Sequence, residues 1–110
     1  MEEDRANYKL IFDEVILKQL KKLEKDFHTK EIISKILDKI EELGPYAGKL
    51  IDSRLYLFEV KRKKPPIRLY YKIVEEKKEA YVFEYEMKTS TKKQIETINK
   101  IRFKDESLKS

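Results

Sequence analysis

Residues 60–72 read VKRKKPPIRLYYK, with six cations and two adjacent prolines. Both ends alternate apolar and polar side chains, the period of a strand. Pro65 and Pro66 lack the ladder donor and push Lys64 towards extended backbone. The stretch therefore reads as a β-hairpin with its loop at Lys63-Lys64-Pro65-Pro66. Crowding like charge there is unfavourable unless an anion meets it.

Working outward, the period stays at two. Strands are expected near Leu55–Arg62, Ile67–Glu75 and Glu79–Met87, with a turn at Glu76-Lys77-Lys78 and a short extended piece near Leu50–Asp52. Towards the N-terminus, residues 7–12 (NYKLIF) alternate as a first strand, and Asp13 offers an N-cap with Glu14 in the first turn. Ile16, Leu20, Leu23 and Phe27, joined by Leu17, then form one helical face. Thr29 is placed to cap a second helix that buries Ile33, Ile36, Leu37, Ile40 and Leu43, and Gly44-Pro45 ends it. Thr91-Lys92-Lys93-Gln94 is a capping-box pattern opening a last helix with Ile95, Ile98 and Ile101 inward. The expected order is β-α-α-β-β-β-α. That is an α+β domain, an antiparallel meander sheet with a helical hairpin on one face. Residues 1–110 read as a single domain with its core in 7–104 and loose termini.

Composition narrows the chemistry. The 110 residues contain no cysteine and one histidine, His28, so disulfides, thiolate catalysis and cysteine or multi-histidine metal sites are excluded. The reading requires no metal and no cofactor. No apolar run is long enough to span a bilayer, and Met1-Glu2-Glu3-Asp4 is acidic where a signal peptide is basic; the expectation is a cytoplasmic protein without a membrane role. The net charge of +5 is unevenly spread. Residues 59–72 and 88–104 each carry six cations against one glutamate, whereas residues 73–87 are net acidic. Two basic blocks in one small domain suggest a shared surface for a polyanion.

Strand alternation sorts the side chains. Tyr56, Phe58 and Val60 share one face of their strand, and Leu57, Glu59 and Lys61 the other. On the next strand, Ile67, Leu69, Tyr71 and Ile73 take the apolar face and Arg68, Tyr70 and Lys72 the opposite one. If the helical hairpin covers the apolar face, Glu59, Lys61, Arg68 and Tyr70 converge on an open concave face. Glu59 beside Lys61 also fits an ordinary salt bridge. The lysines of residues 18–39 read as solvated helix backs, and His28 as a surface or capping residue.

The pieces LFEVK (57–61), IRLYY (67–71) and YEMKTSTKKQI (85–95), in this element order, resemble the RelE/ParE toxin superfamily, nearest its HigB-like, phage-derived branch. That branch shows a leucine, an aromatic and Glu-apolar-Arg on one strand, Tyr-Arg-apolar-apolar-Tyr on the next, and Phe-x-Lys-Lys-Thr before a final helix. Its glutamate falls on Glu59, its following arginine on Lys61 and its second-strand arginine on Arg68. Its tyrosine falls near Tyr70 or Tyr71. The Phe-x-Lys-Lys segment falls on Tyr85-Glu86-Met87-Lys88, so Lys88 alone of the lysine pair is kept. Active relatives often carry a histidine where this chain has Phe83.

The resemblance implies a type II toxin that cleaves mRNA in the ribosomal A site without a metal and is neutralised by a cognate antitoxin. The 2′-hydroxyl attacks the adjacent phosphorus and the 5′-oxygen leaves. Glu59 or a neutral Lys61 is the candidate base, Arg68 the bidentate phosphate ligand, and Lys88 a source of charge or a proton. Tyr70 is a candidate for stacking on a base, and Arg62, Lys63, Lys64, Lys72, Lys92 and Lys93 for phosphate contacts. Two alternatives stand beside this reading. One is a toxin-fold binding module without cleavage, motivated by Met87 and Phe83. The other is a ParE-like gyrase poison.

Overall fold

A computed structural model describes residues 7–87 and 90–109. The chain runs β1 (Lys9–Phe12), α1 (Glu14–Lys22), α2 (Phe27–Leu43), a 3-10 turn (Gly44–Tyr46), β2 (Lys49–Asp52), β3 (Leu57–Lys63), β4 (Pro66–Val74), a second 3-10 turn (Glu75–Lys77), β5 (Glu79–Met87) and α3 (Thr91–Lys109). The α+β class and the meander β3-β4-β5 are as expected. The short extended piece, however, is a paired edge strand, so the sheet has five strands in the order β1-β5-β4-β3-β2. β1 pairs parallel to β5, and the other neighbours are antiparallel. No described helix is long and apolar enough to cross a membrane.

The first cap is as read: Asp13 accepts from the Val15 N–H at 3.0 Å. The second is not. Asp26, rather than Thr29, caps α2 by accepting from the Thr29 N–H at 3.1 Å, and Phe27 becomes the first residue of α2 instead of the end of the α1 stripe. Phe27 is consequently exposed. α2 ends at Gly44, whose φ of +55° suits glycine, and an added Cβ there would sit 2.3 Å from the Tyr8 ring. At α3, the Ser90 hydroxyl, not Thr91, accepts from the Lys93 N–H at 3.1 Å.

Two cores flank the sheet. On one face Ile16, Ile33, Ile36 and Ile40 of the helical pair pack on Phe58, Leu69, Tyr71 and Val82. On the other, α3 sets Ile101 and Ile98 against Leu57, Tyr70 and Phe83. Each fully buried aliphatic or aromatic side chain contributes about 1.5–3 kcal/mol. The second face is therefore not an open concavity. Its strand-end portion is open, and the rest is roofed by α3. A bulge in β5 makes this packing work: Tyr70 pairs with Glu84 but Tyr71 with Val82, so Phe83 is the extra residue. Phe83 and Glu84 both turn to the α3 side, Phe83 into the core and Glu84 onto Lys100 at 3.0 Å.

Candidate functional site

The register of the hairpin sets the geometry. Across β2, β3 and β4 one row runs Lys49, Glu59, Tyr70; across β3, β4 and β5 the next runs Lys61, Arg68, Glu86. Side chains in both rows point to the α3 face. Where α3 begins, they leave a cleft of about 480 Å³ walled by Lys39 of α2, Lys49 of β2, Glu59, Lys61 and Arg68 of the hairpin, and Gln94 of α3. Four cations face one carboxylate there, so the cleft attracts anions.

The carboxylate is held tightly. Glu59 Oε2 accepts from Arg68 Nη1 at 3.1 Å and from Gln94 Nε2 at 2.8 Å, and the Glu59 side chain is 7% exposed. Arg68 is 22% exposed, with its head at the cleft, and Lys61 is exposed. The residue type at Gly48 is also dictated by this site. A Cβ there would sit 2.6 Å from the Glu59 carbonyl oxygen, so only glycine lets the start of β2 approach β3 so closely.

Glu59, Lys61 and Arg68 thus come together as the alternation predicted. Lys88 lies outside the described residues. Arg62, Lys63 and Lys64 are exposed at the hairpin tip, where Arg62 Nε donates to the Lys64 carbonyl at 3.2 Å. Lys92 and Lys93 are exposed in the first turn of α3.

Two expectations are corrected. Tyr70 does not lie on an open face. It is fully buried beneath α3 and donates its hydroxyl to Glu86 Oε2 at 2.9 Å, so it offers no ring for a base to stack on. Burial, reinforced by the Glu86 carboxylate, pushes the phenol well above its ordinary pKa, and it remains a donor. Lys72 is not a free phosphate ligand either. Its Nζ sits 2.6 Å from Asp105 Oδ1, with Lys72 17% and Asp105 1% exposed.

Three of the six cations in the second basic block are neutralised in the same way. Lys100 pairs with Glu84, Arg102 with Asp52 at 2.7 Å, and Lys104 with Asp13 at 2.8 Å. Glu86 is capped by Tyr70 and by the Thr97 hydroxyl. Three cleft residues carry no site signal of their own in the sequence: Lys39 falls among the solvated helix backs, Lys49 belongs to no motif, and Gln94 belongs to the capping-box pattern. One signal was available: Lys49 and Glu59 bracket a turn at a separation that pairs them across an antiparallel ladder.

No protein-family model matches the sequence, and no curated protein matches it. Solved structures do. The isolated Escherichia coli RelE toxin is similar with a TM-score of 0.62 and 26% identity, over 86% of this chain and 98% of that one. A chain of the intact E. coli RelBE toxin–antitoxin complex gives a TM-score of 0.61 and 26% identity, over 76% of this chain and 99% of that one. A chain of a RelBE toxin–antitoxin complex from Mycobacterium tuberculosis is alike in fold, with a TM-score of 0.57 at 18% identity, over 77% and 95%. The five-stranded sheet and its helices, matched over nearly the full length of the E. coli toxin, place the chain by fold in the RelE-like superfamily.

Proposed function

We propose that this protein is the toxin of a type II toxin–antitoxin pair, an endoribonuclease that cleaves mRNA on the ribosome and is silenced by a cognate antitoxin. The observation that carries the reading is the cleft in which Arg68, held by Glu59, stands among Lys39, Lys49 and Lys61. The likeness to RelE toxins, some solved with antitoxins, supports the partner. The LFEVK and IRLYY motifs favour the HigB-like branch.

The chemistry follows from charge. When the 2′-hydroxyl attacks phosphorus, negative charge builds on the equatorial phosphate oxygens. Arg68 offers a planar fork that donates two bonds to such oxygens. Lys61 and Glu59 stand on the same strand face, where the attacking hydroxyl must lose its proton. Lys88 is the candidate for protonating the 5′-oxygen. Arg62, Lys63, Lys64, Lys92 and Lys93 would track the RNA backbone beyond the scissile linkage.

The test is cleavage of mRNA in a translating extract by the purified protein, read by primer extension. Arg68→Ala is expected to remove about 3–4 kcal/mol of transition-state stabilisation, a drop of roughly 10²–10³ in kcat. Intact mRNA at concentrations where a cleaving relative cuts would refute the reading. The burial of Phe83 in the second core, at a position where active HigB-like relatives often carry a histidine, favours a second reading, a toxin-fold module that binds without cutting. Under it, Arg68→Ala leaves cellular toxicity intact.

A further inference from the structure

Burial of Tyr70 leaves the cleft without the stacking ring expected of it, and a different tyrosine stands beside it. We infer that Tyr46, with Lys39 and Lys49, forms a subsite for one nucleotide of a single RNA strand, next to the linkage that Arg68 holds. The two ammonium groups meet its phosphate, and the Tyr46 ring stacks on its base. The inference deepens the nuclease reading above, on which the identity of the strand as mRNA rests.

Three observations carry it. The first is position. Tyr46 directly precedes Ala47, Gly48 and Lys49, which with Lys39 form the α2–β2 wall of the cleft. Consecutive Cα atoms are about 3.8 Å apart, so Tyr46 stands at the rim of that wall. The other exposed aromatics among the described residues are remote. Phe27 lies about 18 Å from Lys39 along α2, and Phe103 about 14 Å from Gln94 along α3. The second is availability. Tyr46 is 85% exposed and belongs to neither core, so packing does not call for an aromatic there. Single exposed apolar residues are ordinary; the cationic wall beside this one sets it apart. Lys39 and Lys49 are exposed as well, and among the described residues neither is in an ion pair, unlike Lys72. The third is rigidity. Pro45 fixes the backbone just before Tyr46. The Gly44 carbonyl accepts from the Ala47 N–H at 3.1 Å and from the buried Tyr71 hydroxyl at 2.8 Å, which ties the turn to the sheet. A ring carried on a fixed turn loses little freedom when a base stacks on it. An aromatic platform beside a cationic groove is the arrangement that binds single-stranded nucleic acid.

The experiment is fluorescence anisotropy with the full chain and a short labelled single-stranded RNA, 2′-O-methylated so that it cannot be cut. Wild type, Tyr46→Ala, Tyr46→Trp, Lys39→Met and Lys49→Met are titrated over a range of salt, and again with an abasic strand of the same length. Tyr46→Ala should bind the RNA about tenfold or more weakly with an unchanged salt slope, and Tyr46→Trp at least as tightly as wild type. On the abasic strand, wild type and Tyr46→Ala should bind alike. Each lysine variant should lower the slope of log K against log salt by about 0.7. The subsite is overturned if wild type does not bind the RNA, if Tyr46→Ala binds it as wild type does, if the loss persists on the abasic strand, or if the lysine variants keep the full slope. Cleavage on ribosomes is read separately. Wild type that binds as described but cuts no mRNA removes the nuclease reading and leaves the subsite. Wild type that cuts, with Tyr46→Ala keeping the same kcat/KM, overturns the subsite and leaves the nuclease.

Discussion

Replacing Lys72 with methionine separates the role its sequence suggests from the role its structure shows. Lys72 Nζ lies 2.6 Å from Asp105 Oδ1, and Asp105, on the sheet-facing side of α3, is 1% exposed. Methionine keeps most of the aliphatic stem, so what is removed is the charge. Breaking a buried ion pair by deleting one partner costs about 3–5 kcal/mol, because the other charge stays in a medium that solvates it poorly. Lys72 keeps 17% exposure, which places the loss near the lower end, about 3 kcal/mol. For a domain of this size that lowers Tm by roughly 10–20 °C. With a urea m-value of about 1.5 kcal/mol/M, the midpoint falls by about 2 M. The assay is urea unfolding followed by circular dichroism, with Asp105→Leu in the same background to complete a double-mutant cycle. The double variant should recover much of the loss, giving a coupling of about 1.5–3 kcal/mol. An unchanged midpoint for Lys72→Met, together with weakened binding to a single-stranded RNA, would refute the structural assignment and return Lys72 to the nucleic-acid interface.

Other perturbations read neighbouring parts of the same face. Tyr70→Phe removes the donor to Glu86 and should cost about 1–2 kcal/mol in urea unfolding while leaving RNA affinity unchanged; the opposite pattern would mean that the ring meets the substrate. Gly48→Ala must move β2 or β3 to relieve the 2.6 Å approach to the Glu59 carbonyl, with an expected loss of about 1–3 kcal/mol by thermal unfolding and a lower cleavage rate. Acid should loosen α3. Burial alone would raise the Asp13 carboxyl, but hydrogen bonds from Lys104, the Val15 N–H and Tyr81 hold it below the ordinary carboxylate range, and the Arg102 guanidinium does the same for Asp52. Both groups are protonated more readily in the unfolded chain. Their contribution is therefore complete above an unfolded pKa of about 4 and fades as pH falls through the lower folded values. Urea midpoints should drop below about pH 4, and more shallowly in Asp52→Asn; an identical slope in that variant would exclude the Arg102 pair as a source.

The hairpin was legible because strand alternation with one buried face leaves little freedom. Once Phe58, Val60, Leu69 and Tyr71 face the helical pair, Glu59, Lys61 and Arg68 must face the other way. The roof over that second face was only partly legible, because α3 packs Ile98 and Ile101 of its apolar period inward but not the first of the three. Ile95, assigned inward, is 53% exposed, whereas Thr97 and Asp105 are buried. Beside the apolar patch of Leu57, Tyr70 and Phe83 the helix meets polar side chains of the sheet, so it also covers them with residues that partner them: Thr97 for Glu86, Asp105 for Lys72, Gln94 for Glu59. Hydropathy periodicity carries no signal for an interface of that kind. The Phe27 misreading has a similar origin. Its spacing continues the α1 stripe, but Asp26 stops the helix first. The β5 register was hidden by a bulge, which no alternation pattern announces.

The same pairs answer the question posed by the charge distribution. Both basic blocks looked as if they were gathered for a polyanion, yet they have different roles. In residues 88–104, Lys100, Arg102 and Lys104 meet Glu84, Asp52 and Asp13, and that block clamps α3 to the acidic side of the sheet. In residues 59–72, only Arg68 and Lys72 have carboxylate partners within ion-pair distance among the described residues, while Lys61, Arg62, Lys63 and Lys64 remain exposed. Repulsion among those four is relieved by no ion pair among the described residues, and that is the condition under which binding a phosphate backbone both neutralises the protein and releases counterions. Charge reversal within 61–64 should therefore weaken RNA binding and flatten its salt dependence, whereas reversal at Lys100 or Lys104 should lower stability first. The division follows from where acidic partners lie in the fold, which a count of charges along the chain cannot reveal.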